Sequence, residues 1–192
     1  MATVKLNPNG IVTGNQQWDL NGGGGGATAD GNLSDFLDNT GVKQTGQSRF
    51  CVLVLDNYTA GGTVDSIRWY VRGSYTVTRS GDTDIQVVLG TGSHAPVTGS
   101  ADAYYSETFT LTFNAGYAPQ DYYGTARTTD GSSAWDATSL NDLRLDINTT
   151  PENPNPAGGP NEQANIWKAY VEVTYTPAVT VTDNATFFGT NF

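Results

Sequence analysis

Cysteine, histidine and methionine each occur once in these 192 residues. With Cys51 alone, no intramolecular disulfide can form. Its place between Phe50 and Val52 predicts a buried small hydrophobe, because a reactive thiol needs an exposed, electropositive setting. One histidine and one cysteine cannot build a zinc site of the usual Cys/His kind. Basic residues number 9 against 19 acidic ones, for a net charge of −10. Nucleic acid and anionic membrane surfaces are bound chiefly through Lys and Arg, so neither is an expected partner. No segment approaches the length of a membrane span. The opening MATVKLNPNG has no apolar core of a signal peptide, and the expectation is synthesis and folding in a cytoplasm. Glu, Lys and Leu, which helices favour, are scarce.

What is present is glycine, 23 residues of it, with abundant Thr, Asn and Asp: the composition of strands joined by turns. The stretch Thr63 to Ser80 organises the rest. Ile67, Trp69, Val71, Tyr75 and Val77 share one parity, and Arg68, Tyr70, Arg72, Ser74, Thr76 and Thr78 share the other. A period of two over this length is a half-buried β-strand. Gly73 falls on the inward parity and predicts a bend or bulge there.

Other segments supply partners. Thr3 to Leu6 reads as a short strand closed by an Asn7-Pro8-Asn9-Gly10 turn, with Ile11 to Thr13 resuming it. Ser48 to Asp56 is apolar on both parities, which fits a central strand covered on both faces or one whose outer face meets another subunit. Further inward rows are Ile85, Val87 and Leu89; Phe109, Leu111 and Phe113; and Leu143, Leu145 and Ile147. The last strand, Ala164 to Tyr175, sets Trp167, Ala169, Val171, Val173 and Tyr175 against Lys168, Tyr170 and Glu172. Leu33 to Asp38 is compatible with a helical turn or a short strand. The segment 114–139 reads as a long irregular loop tied down by Tyr117, Tyr122, Tyr123 and Trp135. The sum is an all-β chain of about eight strands. It predicts a two-sheet antiparallel, jelly-roll-like sandwich in one domain over 1–176, with an extended C-terminal arm over 177–192.

Chemistry has few places to reside. The five glycines Gly22 to Gly26 lack the Lys-Ser/Thr pair and strand-to-helix setting of a phosphate loop. His94 sits in a Gly/Ser/Pro loop with no nucleophile elbow anywhere in the chain. Glu107 and Glu172 are the strand carboxylates to consider for glycoside hydrolysis, although a solvated face is the plainer reading. Asp82 with Asp84, or Asp30 with Asp35 and Asp38, offer oxygen ligands for calcium without matching its spaced loop. No catalytic residue, metal site or cofactor is assigned. Trp18, Tyr104, Tyr122, Tyr123 and Trp135 form either a sugar-stacking platform or plugs for the ends of the sandwich. Beyond Pro177 the arm carries Val179, Val181, Phe187, Phe188 and Phe192. Exposed phenylalanines are an aggregation liability, so the arm is expected either to pack on a neighbour, its alternating Val179 to Thr182 adding to a sheet edge, or to fold back over its own sandwich, the neighbour contact being favoured.

The opening Leu6-Asn7-Pro8-Asn9-Gly10, Trp18 and the Asp/Gly-rich stretch after it carry a resemblance. So do the strands around Val52 and Ser66-Ile67-Arg68, then Asn141-Asp142-Leu143-Arg144-Leu145, and the closing Lys168 to Tyr175. Together they resemble small β-sandwich structural proteins of tailed bacteriophages, among them capsid decoration (cement) proteins and short fibre or tail components. The resemblance implies a non-enzymatic virion part, often a homotrimer, whose partners are the major capsid protein and neighbouring copies. The alternative expectation is a carbohydrate- or receptor-binding module of a phage fibre or tail.

Overall fold

A computed structural model gives the fold. It describes residues 1–16, 19–21, 31, 33, 41–44, 50–76, 83–91, 103–111, 118–149 and 163–179. The described strands are β1 (Ala2–Leu6), β2 (Pro8–Gln16), β3 (Asp19–Asn21), β4 (Gly41–Gln44), β5 (Phe50–Leu55) and β6 (Thr63–Thr76). They continue with β7 (Thr83–Thr91), β8 (Ala103–Leu111), β9 (Gln120–Tyr123), β10 (Leu143–Thr149) and β11 (Gln163–Thr176). One sheet, the front, runs β3-β4-β11-β6-β9, with β1 also paired to β11; the back sheet runs β2-β5-β10-β7-β8. All described pairings are antiparallel.

The strand order is that of a jelly roll. Setting β1 to β3 aside, the hydrogen-bonded pairs β4–β11, β5–β10, β6–β9 and β7–β8 nest inside one another. A long hairpin with its tip between β7 and β8, rolled so that its pairs alternate between two sheets, gives this pattern. The first three strands extend the edges of that unit: β2 borders β5, β3 borders β4, and β1 lies beside β11.

The core lies between the sheets and is built from the predicted parities. β6 contributes Ile67, Trp69, Val71 and Tyr75; β5 contributes Cys51, Leu53 and Leu55; β7 contributes Ile85, Val87 and Leu89; β10 contributes Leu143, Leu145 and Ile147. Each fully buried Leu or Ile of these rows stabilises by about 1.5–3 kcal/mol. Cys51 is buried, as its flanks predict. Val52, on the opposite parity of β5, is also fully buried, while Val54 on the same face is half-buried, so this strand is covered on its outer face at Val52.

The predicted break at Gly73 occurs on its partner strand. β11 carries a bulge between Ile166, opposite Gly73, and Lys168, opposite Arg72. A Cβ on Gly73 would lie 2.9 Å from Leu111 Cδ2 and 3.1 Å from both Ile166 Cδ1 and the Asn165 carbonyl. The space is therefore filled by neighbours, and glycine is what admits them. The bulge also corrects the inward row of β11. Ala164 and Ile166 are core residues before it and Ala169, Val171 and Val173 after it. Trp167 is the extra residue, and its Nε1 donates to Ser74 Oγ at 3.0 Å on the outer face.

The segment read as irregular from 114 to 139 is more ordered than expected where it is described. It contains β9 and leads into a short helix, Ala137–Asn141, capped reciprocally by Asp136 and Ser139. Between them Asp130 Oδ1 accepts from the backbone of Ser132 and Ser133, and single bridges join Thr129 to Ala134 and Arg127 to Ile67. Four-residue β9 and three-residue β3 are too short for alternation to reveal. Gly31 and Leu33 are helical, and Leu33 is buried in the core. No helix among the described residues is long and apolar enough to cross a membrane.

Candidate interaction surface

The two carboxylates considered for hydrolysis are not brought together. Glu107 belongs to β8 of the back sheet, and Glu172 lies on the outer face of the front sheet. Glu107 is not on a solvated face: its oxygens accept from Trp69 Nε1 at 2.7 Å, the Thr125 amide at 3.0 Å and Arg127 Nη2 at 2.6 Å. Burial pushes this carboxyl up, but the donors from Thr125, Arg127 and Trp69 outweigh it and hold it below the usual range. The group ties β8 to β6 across the sandwich. Gly124 permits the close approach, since a Cβ there would enter the Trp69 ring.

The described members of the aromatic set, Tyr104, Tyr122, Tyr123 and Trp135, do not form one platform. Trp135 is buried, its Nε1 donating to the Arg127 carbonyl at 3.0 Å and its ring meeting Tyr104 edge-on at 5.5 Å. Tyr122 is half-buried against Phe109, 4.4 Å between ring centroids. These act as plugs. Among the described aromatic residues, Tyr123 alone is a strongly exposed ring, at 52%.

Tyr123 belongs to a surface that sequence parity outlined and only register completes. The outer face of the front sheet presents three cross-strand rows. Lys5, Glu172 and Arg68 form the first; Arg68 Nη2 lies 2.6 Å from Glu172 Oε1. Tyr170, Tyr70 and Tyr123 form the second, with Tyr70 stacked on Tyr170 at 4.4 Å and edge-on to Tyr123 at 5.1 Å. Lys168, Arg72 and Asp121 form the third; Asp121 Oδ1 accepts from Arg72 Nη1 and from the Tyr70 hydroxyl, both at 2.7 Å. Cations bracket the rings: Lys5 Nζ stands 4.6 Å from the Tyr170 centroid, and the Arg68 guanidinium 4.8 Å from that of Tyr123. Burial, then the bond to Asp121, push the Tyr70 phenol up. Burial, with Tyr123 and Glu172 nearby, pushes Tyr170 up to about 12. Both phenols therefore stay neutral donors across the physiological range.

Among the described residues no group of three His, Cys, Asp or Glu side chains is placed to hold a metal ion. Asp84 Oδ1 accepts from Thr110 Oγ1 at 2.6 Å. Its companion Asp82, the set Asp30, Asp35 and Asp38, Trp18, the glycine run and His94 lie outside the described residues, as do Val181, Phe187, Phe188 and Phe192. Val179 is described: the chain from Thr176 to Val179 is exposed, Val179 at 86%. No protein-family model matches this chain, and no curated protein sequence matches it.

Proposed function

We propose that this chain is a non-enzymatic structural protein of a bacteriophage virion, a capsid decoration protein whose sandwich sits on the shell and whose C-terminal arm engages neighbours. The observation that carries this reading is the exit of the chain from β11. Pro177, Ala178 and Val179 leave the jelly roll exposed and lead into an apolar arm with Phe187, Phe188 and Phe192. Such an arm gains by packing on a neighbour, where a tether raises effective concentration without new chemistry. The resemblance to tailed-phage sandwich proteins and the jelly-roll topology, which serves many capsid domains, support it. Its partners are then the major capsid protein and further copies of the chain as a homotrimer.

The test is co-sedimentation of the purified chain with empty shells, repeated after deleting Thr180 to Phe192. Pelleting that depends on the arm is the expected result; a chain that stays in the supernatant with every shell tried removes the reading. The second reading is a glycan- or receptor-binding module of a fibre or tail, favoured by one feature, the exposed Tyr123 ring above Arg68. Glycan-array binding lost on Tyr123→Ala and indifferent to arm deletion selects it.

A further inference from the structure

Backbone alternation fixes where β1 turns its polar groups. On β6, Ile67 exchanges both backbone bonds with Arg127. Its neighbours Arg68 and Tyr70 therefore bond the other way, to Glu172 and Tyr170 of β11. The same alternation carried across β11 sends Val171, Val173 and Tyr175 to Leu6, Val4 and Ala2. Thr3 lies between two of these and turns its N–H and C=O to the outer flank, with which no described strand pairs. The side chains follow the same division. Thr3 and Lys5 are exposed, Leu6 is buried, and Val4 is half-buried against the core. β1 thus ends the core in an aliphatic row, Ala2, Val4 and Leu6, that is part-covered at Val4. The edge strands β8 and β9 instead carry Glu107 and Gln120 on their inward parity.

The C-terminal arm has the matching pattern. Val179 and Val181 share one parity, Thr180 and Thr182 the other. The chain does not leave β11 toward its own β1. Thr176 Oγ1 donates to Asp65 Oδ2 of β6 at 3.0 Å. The next residues pass beside Gly62, where a Cβ would strike the Thr176 carbonyl and lie 3.0 Å from both Pro177 Cα and the Ala178 amide. Gly62 leads into β6, which pairs with the flank of β11 opposite β1. Extended, Thr180 to Phe192 spans about 40 Å, enough to reach an adjacent copy.

We propose that Val179 to Thr182 of one copy adds as a strand to the outer flank of β1 on a second copy. Thr3 supplies backbone donor and acceptor, and Val179 and Val181 cover Val4. This names the docking site of the arm and rests on the reading that the arm engages neighbours. Arm and edge are different parts of one molecule, so the contact is heterologous and passes from copy to copy; in the homotrimer of that reading three such contacts close the ring.

The experiment omits the shell and traps the pairing by oxidation. Full-length Thr3→Cys copies are mixed with heavy-isotope copies carrying Val179→Cys, Thr180→Cys, Val181→Cys or Thr182→Cys, and heavy–light disulfides are mapped by mass spectrometry. Cys51 is buried and does not compete. Bonds are expected from Thr180→Cys or Thr182→Cys and not from the two valine positions, because one parity alone shares the outer face with Thr3. No heavy–light bond at any arm position, or bonds indifferent to parity, overturns the proposal. Thr3→Pro removes the outward N–H, a change an edge strand tolerates, and should weaken self-association in sedimentation by at least about tenfold with circular dichroism unchanged. Unaltered self-association overturns the proposal; if this variant misfolds, the disulfide map still decides. Arm-dependent pelleting with shells while copies form no bond sinks this docking and spares the decoration reading. Bonds between copies that ignore every shell do the reverse.

Discussion

Asp146 is the residue most out of keeping with its surroundings. It lies on the outer face of β10 between Val52 and Val88, is 5% exposed, and its Oδ1 has no hydrogen-bond partner among the described residues. Burial pushes its carboxyl up from 3.8 to about 8, with Arg144 pulling the other way. The folded chain then keeps a proton that the unfolded chain releases, so stability falls as pH rises from about 4 to about 8 and levels off above. Asp146→Asn should flatten that slope, which is about 1.4 kcal/mol per pH unit within the window, in urea melts at a series of pH values. A decline that persists in the variant contradicts the assignment. Glu107 works in the opposite sense, since its carboxyl is held low. Its contribution is present above the ordinary glutamate range and is lost as pH falls through its depressed value. Glu107→Ala leaves the Trp69 indole and Arg127 without their shared acceptor and should cost about 2–3 kcal/mol at neutral pH, read from the urea midpoint.

At the scale of elements, the paired strands β6 and β11 carry both the core and the candidate surface. Their 14-residue lengths match, and one bulge at Trp167 lets the two halves of β11 keep apolar residues inward. Gly73 sits opposite that irregularity, so Gly73→Ala drives a methyl against Leu111 and Ile166 and should destabilise by about 1–3 kcal/mol. A variant as stable as the wild type in thermal melts would show that β8 yields easily there. β1 matters for both roles of the pair. It buries Leu6 and places Lys5 beside Glu172. Removing residues 1–6 should lower the urea midpoint by at least the burial of Leu6, about 1.5–3 kcal/mol, and bare the Tyr170 ring to solvent. Tyrosine fluorescence quenching by iodide that does not increase would count against the second effect.

For the molecule as a whole, nearly every strand pairs with one remote in sequence, the ends of the sandwich most of all: Ala2 faces Tyr175. Such a topology must close long loops before contacts reward it, so refolding is expected in milliseconds to seconds, as stopped-flow fluorescence would report. Microsecond refolding would imply a local nucleus that this strand order does not contain. The same topology decides the surface. Lys5, Arg68, Asp121 and Lys168 come from four different strands, yet the jelly-roll winding sets them on one face.

Alternation by itself determined which residues face inward along β6, β7 and β10, because the pleat has a period of two wherever a strand runs. It determined the all-β class and the burial of Cys51 for the same local reason. Trp167 and Glu107 escaped it. A bulge reverses parity only when a partner strand is in place, and a carboxylate is solvated or enclosed according to what the other sheet brings near. The outward residues of β6 and β11 were readable as a polar row, but not as a tyrosine ladder between two charged ones. That required register, which is fixed by which strands pair and at what offset, and in this fold those partners lie scores of residues apart.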